Sequence, residues 1–147
     1  MEESLVIKGW VSLSSKAADL MVQAAKKKAN DINIPMCVAV VDPSGYLMAF
    51  SRCDNARLAN IKMATTKAIS AAVRQRATAD ELKIRPEDPI QTVRTSLAAG
   101  SDYVTSLSGG IPIYVEGTLI GAIGVSGGHR EQDILVAAAG LSVLGLP

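Results

Sequence analysis

Hydrophobic and polar residues alternate along the first third of this chain with two periodicities, one typical of a helix and one typical of a strand. After Ser12, which can cap a helix, apolar residues recur every three to four positions as far as Asn30 to Asn33. The apolar run from Met36 to Val41 predicts a strand. Asp42 to Gly45 predict a tight turn, and residues 46–52 predict the returning strand of a hairpin.

The same two periodicities in the rest of the chain predict, in order, a helix, a second helix, a hairpin and a last helix. We predict an Ala-rich helix from about Leu58 to Ala77, a loop with a short capped turn, and a helix from Pro89 to Ala99. A glycine-rich hairpin and a helix from Glu131 to Leu144 follow. The predicted order is α, β, β, α, α, β, β, β, α. Hairpins without crossovers imply an α+β fold, in which Ala-rich helices cover an antiparallel sheet on one or both faces.

Length and composition favour one domain over residues 1–147, without a linker or a low-complexity segment. A domain of this size buries roughly 68–70% of its unfolded surface, so it needs neither metal nor disulfide for stability. Because the chain has 1 Phe and 1 Trp, its core must consist mainly of aliphatic residues. Cys37 and Cys53 have no C-x-x-C spacing, so we expect buried thiols and no metal site.

Charge and hydropathy exclude several classes of partner. The formal net charge is +1, and the longest basic run, Lys26 to Lys28, fits a solvated helical face, so we expect no nucleic-acid binding. The first residues lack the basic and apolar regions of a secretion signal, and no stretch approaches the roughly 20 apolar residues of a membrane helix. We therefore expect a cytoplasmic protein with no membrane partner.

Glycines cluster between Gly109 and Gly128, where two apolar strands lead into the last helix. Glycine allows close backbone approach, and a helix N-terminus offers unpaired N–H groups and a partial positive charge. The turn Ser126, Gly127 and Gly128 could therefore hold an anion. The alternative is that these glycines serve only tight turns and helix packing.

Charged residues suggest a second candidate site. Arg52 and Asp54 lie two positions apart at a strand end, so they project to one face, where Arg52 could clamp a small acid and Asp54 could act as a general base. The alternative is an ion pair at the rim of the sheet. We interpret Lys67 most simply as a surface residue and Glu116 as a solvated turn residue. Asp133 is expected to complement the dipole of the last helix.

Several separated motifs together resemble one known family, in its order and spacing. They are VVDPSGYLMAFSRCDNA at 40–56, Lys67-Ala68, GGIPI at 109–113, Gly117, GAIGVSGG at 121–128 and Gln132-Asp133. These motifs resemble the GlcG/HbpS-like haem-binding family, which is related to the C-terminal domain of PduO-type corrinoid proteins. The resemblance runs from about Val11 onward and implies a profilin-like α+β fold, dimers or larger homo-oligomers, and haem or corrinoid binding in some members. It also places Lys67 facing the sheet.

Haem binding would require an axial ligand. His129 is the single histidine, and the weaker candidates are Tyr103, Tyr114, Met63 and Thr65. Members of the family often have Gly at the position of Asn55 and Ser near Asn60, so we expect the ligand preference of this chain to differ from theirs.

Two functions follow from these residues and from the resemblance. We favour a small-molecule binding protein that holds haem or another carboxylate-bearing ligand between sheet and helix, with no cofactor expected besides haem. Its expected ligand-binding residues are Arg52, Asp54, Lys67, Ser126, Gly127, Gly128 and His129. The alternative is a cofactor-free isomerase or lyase that transfers protons on a small organic or aromatic acid. Its expected catalytic residues are Asp54, Arg52 and His129.

Overall fold

A computed structural model describes residues 9–146 of the protein as four helices, four strands and one 3-10 helix. The helices are α1 (Ser15–Asp31), α2 (Ala59–Arg74), α3 (Gln91–Ala99) and α4 (Arg130–Ser142). The strands are β1 (Cys37–Val41), β2 (Leu47–Arg52), β3 (Gly110–Val115) and β4 (Thr118–Ser126). The 3-10 helix spans Thr78–Lys83 and follows α2.

The predicted α+β fold with an antiparallel sheet is confirmed. The sheet has the order β2-β1-β4-β3, so the first strand of one hairpin pairs with the second strand of the other. The prediction of three strands after α3 is wrong, because residues 9–146 contain two there. In the segment before β3, the Thr105 N–H donates to the Ser70 hydroxyl on α2 at 3.1 Å, which replaces a strand partner.

Two turns show how local sequence sets the ends of these elements. In the first hairpin, the Asp42 carboxylate accepts hydrogen bonds from the Ser44 and Tyr46 N–H groups at 2.8 and 3.0 Å. The predicted Ser12 cap is wrong, since Ser14 accepts the Ala17 N–H at 3.1 Å and caps α1. The helix starts later than expected because the Leu13 N–H first pairs with the carbonyl oxygen of Ile120 in the sheet.

The sheet lies between two helical layers. Val38 and Val40 pack in the cluster that holds the apolar faces of α1 and α4, whereas Cys37, Ala39 and Val41 pack against α2. All five residues of β1 are buried, as a strand covered on both faces requires. Cys37 and Cys53 are free and buried, as expected, and burial raises the pKa of the Cys37 thiol, with a further rise from nearby Cys53.

Small residues let α2 lie directly against the sheet. Ala39, Gly124 and Gly110 are neighbours across three strands, beneath the alanines of α2. A Cβ atom on Gly124 would overlap the carbonyl oxygen of Ala64 and the amide nitrogen of Ala68. Because main chain meets main chain here, the position of α2 is fixed to within a fraction of an ångström.

We predict that Gly124→Ala destabilises the protein by more than about 3 kcal/mol, since neither backbone segment can move without displacing α2 or β4. Denaturant unfolding monitored by circular dichroism measures this loss. Gly117→Ala is the matched control, because Gly117 has open space around it and its φ of +77° makes alanine costly by only about 1–2 kcal/mol. Equal losses for the two variants would contradict the proposed close packing.

Candidate functional site

One end of the sheet opens into a groove of about 600 Å³. It lies where β4 ends and α4 begins, beside the first half of α2 and the segment before β3. We call this space the groove throughout. Its lining combines buried polar residues, exposed arginines and apolar side chains, among them Asn60, Lys67, Ser126, Arg57, Arg130 and Met63.

A buried ion pair forms part of the groove's lining. The Lys67 ammonium donates to the Asp133 carboxylate at 2.8 Å and to the carbonyl oxygen of Val125 at 2.9 Å. Their side chains are only 3% and 6% exposed. Since Lys67 belongs to α2 and Asp133 to α4, the pair joins the two helical layers past the end of β4.

The simple interpretation of Lys67 as a surface residue is therefore wrong, whereas its orientation toward the sheet agrees with the family resemblance. Helical spacing explains the burial, because Lys67 lies beside Ala64, Ala68 and Ala71 on the face of α2 that meets the sheet. A charge in that position must be paired, since burying an isolated ammonium is costly. Asp133 supplies the counter-charge.

The start of α4 is satisfied by the protein's own side chains. The Gly128 N–H donates to the second carboxylate oxygen of Asp133 at 2.8 Å, and the His129 N–H donates to the Gln132 side chain at 2.8 Å. The Gly128 N–H of the predicted anion site therefore already binds an internal carboxylate, and binding of an external anion at this turn stays a prediction. Asp133 does complement the helix dipole, and it also neutralises Lys67.

Two arginines give the groove its charge. Arg57 and Arg130 are both exposed, both line the groove, and neither forms an ion pair within residues 9–146. Asp133 is the one carboxylate of that lining, and Lys67 already neutralises it. The groove therefore carries a positive excess that an anionic ligand would complement.

The structure brings some of the predicted ligand-binding residues together and separates others. Lys67, Ser126, Gly127 and Gly128 line the groove, and His129 lines an adjoining cleft of about 470 Å³ that shares Arg57 with it.

Asp54 lies in a different cleft, beside Lys26, and Arg52 is exposed at the end of β2. Neither Arg52 nor Asp54 makes a side-chain hydrogen bond or an ion pair within the described part of the chain, so the predicted clamp stays a prediction.

Sequence reasoning missed Arg57 and Arg130 as groove residues. The available signal was their position, because Arg57 lies two residues before α2 and Arg130 is the first residue of α4, two residues after Gly128. Asn60 was noted only as a departure from the family pattern. It is 8% exposed, and the Ser126 hydroxyl lies 3.4 Å from its side-chain oxygen in the groove.

The candidate axial ligands differ in their surroundings. Met63 lines the groove and His129 the adjoining cleft. The Tyr114 hydroxyl donates to the carbonyl oxygen of Gln75 at 2.7 Å, and the Thr65 hydroxyl donates to that of Ile61 at 2.9 Å. Tyr103 is half-exposed after α3. Met63 and His129 are therefore the candidates nearest the groove.

Comparisons with known proteins assign the family. Residues 13–142 match the family model described as "Haem degrading protein HbpS-like", so the chain belongs to the HbpS-like family and the resemblance seen in its motifs is confirmed. Protein GlcG of Escherichia coli is 35% identical over 120 residues, which are 82% of this chain and 85% of that protein.

Solved structures agree with this assignment. Klebsiella pneumoniae protein ORFY superimposes with a TM-score of 0.84 at 29% identity, covering 95% of this chain and 94% of that one. The crystal structure of a PduOC:haem complex gives a TM-score of 0.83 at 27% identity, covering 93% and 98%. None of the helices within residues 9–146 has the length and hydrophobicity to cross a membrane.

We predict that Lys67→Met destabilises the protein by roughly 3–5 kcal/mol, because it leaves the Asp133 carboxylate buried and without its counter-charge. Urea unfolding measures the loss. Lys62→Met on the same helix is the control, since its ion pair with Asp102 is 71% and 58% exposed and contributes about 0–1 kcal/mol. A Lys67→Met variant as stable as the Lys62→Met variant would show that the buried pair does not hold the layers together.

Proposed function

We propose that this protein binds haem or another carboxylate-bearing small molecule in the groove. The observation that carries the proposal is the groove's charge, with Arg57 and Arg130 exposed and without ion pairs within residues 9–146. Guanidinium groups favour carboxylates because they can donate two parallel hydrogen bonds. A volume of about 600 Å³ lies within the usual range of roughly 300–1,000 Å³ for ligand sites.

Haem fits the residues present. Arg57 and Arg130 would hold its propionates, and the apolar side chains of Met63, Leu82 and Leu107 would contact its ring. A thioether or an imidazole can ligate haem iron, so Met63 and His129 are the side chains that would supply an axial bond. The haem bound in the related PduOC structure supports this choice of ligand.

Several residues of the proposed site were predicted from the sequence. Lys67, Ser126, Gly127, Gly128 and His129 remain proposed ligand-binding residues, in the groove or at its edge. The isomerase or lyase alternative, with Asp54, Arg52 and His129 as its catalytic residues, stays a prediction; Arg52 and Asp54 lie outside the groove's lining and His129 lines the adjoining cleft.

Removing both groove arginines tests the proposed function. We predict that Arg57→Gln with Arg130→Gln weakens haem binding at least about tenfold, because charge-assisted hydrogen bonds are lost while the fold keeps its buried pair. Haem titration followed by absorption spectroscopy measures the dissociation constants.

Lys16→Gln with Arg85→Gln is the control, since it removes equal charge from exposed positions outside the groove. Equal affinities for the two double variants would contradict the arginine site. If unmodified protein binds neither haem nor small aromatic acids at millimolar concentration, the proposed function itself is wrong.

We also propose that the chain forms a homo-oligomer. No residue of α3 is buried, although Ile90, Val93 and Leu97 form an apolar stripe that is 52%, 57% and 79% exposed. Leu135 and Val143 add exposed apolar surface near α4. Single exposed apolar residues are ordinary, but a stripe along a whole helix is typical of an interface.

We predict at least a dimer in light scattering at micromolar concentration. Val93→Glu with Leu97→Glu should shift the mass toward the monomer, because both residues lie on the stripe and neither is buried in the fold. Thr118→Glu with Gln23→Glu, at exposed positions off the stripe, is the control. A monomeric unmodified protein over this concentration range would contradict self-association.

A further inference from the structure

The Lys67 ammonium has more hydrogen-bonding capacity than the fold uses. A lysine ammonium has three N–H donors. Within residues 9–146, one donates to Asp133 and one to the carbonyl oxygen of Val125, at 2.8 and 2.9 Å. No protein acceptor for the third donor lies in that part of the chain, and Lys67 lines the groove. A nearly buried cation with a spare donor beside a cavity is equipped to bind an oxygen atom from a ligand.

Neighbouring residues make this part of the groove polar. Asn60 and Ser126 are 8% and 2% exposed, and both line the groove with Lys67. Their side chains are weakly joined, with 3.4 Å between the Ser126 hydroxyl and the Asn60 oxygen, so the Asn60 amide keeps its own donors. We call Lys67, Asn60 and Ser126 the polar floor. An apolar ligand end placed there would leave these donors unsatisfied, which is costly.

From this arrangement we infer that the polar floor is an oxyanion subsite, in which Lys67 donates a hydrogen bond to an oxygen atom of the ligand. We also infer that the groove selects ligands with two separated acidic groups. One carboxylate would accept the spare Lys67 N–H at the floor. The other would meet Arg57 and Arg130, which are exposed while the floor is buried. The inference rests on the proposed function, and it adds the ligand class, an acid whose charged groups lie at opposite ends of an apolar body.

Asp133 limits what Lys67 can do. Its carboxylate lies 2.8 Å from the ammonium and occupies one of the three Lys67 donors. The second carboxylate oxygen of Asp133 accepts the Gly128 N–H at 2.8 Å, so both oxygens of Asp133 are bound within the protein. The spare N–H therefore meets the ligand with a directed hydrogen bond from a charged donor, which is the stronger kind.

The test compares two aromatic probes that differ in one charge, terephthalate and its monomethyl ester. Calorimetry should show that unmodified protein binds terephthalate at least about tenfold more tightly, because the ester cannot supply the second carboxylate. In Lys67→Met with Asp133→Asn, which removes both charges and keeps an acceptor for Gly128, this preference should fall below about threefold. Circular dichroism establishes that the variant is folded.

The matched control is Lys62→Met with Asp102→Asn, which removes the exposed ion pair of the same helix and should keep the full preference. If the variant at Lys67 does not fold, NMR of unmodified protein labelled at lysine provides the second readout. The Lys67 Cε resonance should shift with terephthalate and much less with the monoester, while that of Lys62 stays unchanged.

Equal affinity of unmodified protein for the two probes overturns the inference, as does a preference that survives removal of the buried pair. Binding of neither probe also overturns it, and haem binding by the same protein would then leave the proposed function standing. If neither haem nor any acid binds, the proposed function fails together with the inference.

Discussion

The ion pair between Lys67 and Asp133 is the constraint on which the end of this fold depends. It connects α2, on one face of the sheet, to α4 on the other, and the Lys67 ammonium also donates to the carbonyl oxygen of Val125 between them. The same carboxylate binds the Gly128 N–H and so fixes the turn into α4. Removing either partner would leave the other charge nearly buried and without its counter-charge.

Small residues make that pair possible. Lysine can reach across the end of the sheet only because α2 lies directly against it, and the contact between Gly124 and the main chain at Ala64 and Ala68 sets that closeness. Gly109 contributes in the same way, since a Cβ atom there would lie 3.3 Å from the Lys67 nitrogen and 3.0 Å from the Asp133 Cβ atom. The glycines near the groove therefore serve packing, which was the plainer of the two interpretations of this segment.

Local patterns in the sequence were sufficient for most of the fold. The α+β class and the first hairpin follow from periodicity and turn chemistry, and the long helices follow to within a few residues. The prediction of Ser12 as the cap is wrong because serines stand at 12, 14 and 15, and only the long-range pairing of the Leu13 N–H with the Ile120 carbonyl oxygen places Ser12 outside the helix. The prediction of a third strand after α3 is also wrong because of a long-range contact. The Thr105 N–H donates to the Ser70 hydroxyl on α2 and not to a neighbouring strand.

The candidate site was harder to predict because it depends on long-range contacts. Ser126 to Gly128 mark a strand-to-helix turn in the sequence, and the structure places them in the groove. The partnership of Lys67 with Asp133 joins residues 66 positions apart, and periodicity carries no information about it. Arg52 and Asp54 look like a clamp because they are two positions apart, but Asp54 lies beyond the end of β2, where alternation no longer applies.

The hydrogen bonds at the start of α4 affect which groups could hold a ligand in the groove. Asp133 and Gln132 already occupy the Gly128 and His129 N–H groups, so in the proposed site the acid of a ligand would rely mainly on side chains. Arg57 and Arg130 are exposed and belong to no ion pair within residues 9–146, so changing them alters the groove's charge without disturbing the core. Lys67 is different, since altering it also disturbs the junction of the two helical layers. In the proposed site, substitutions of Arg57 and Arg130 can therefore change ligand preference alone, whereas a substitution of Lys67 in the polar floor also changes the stability of the fold.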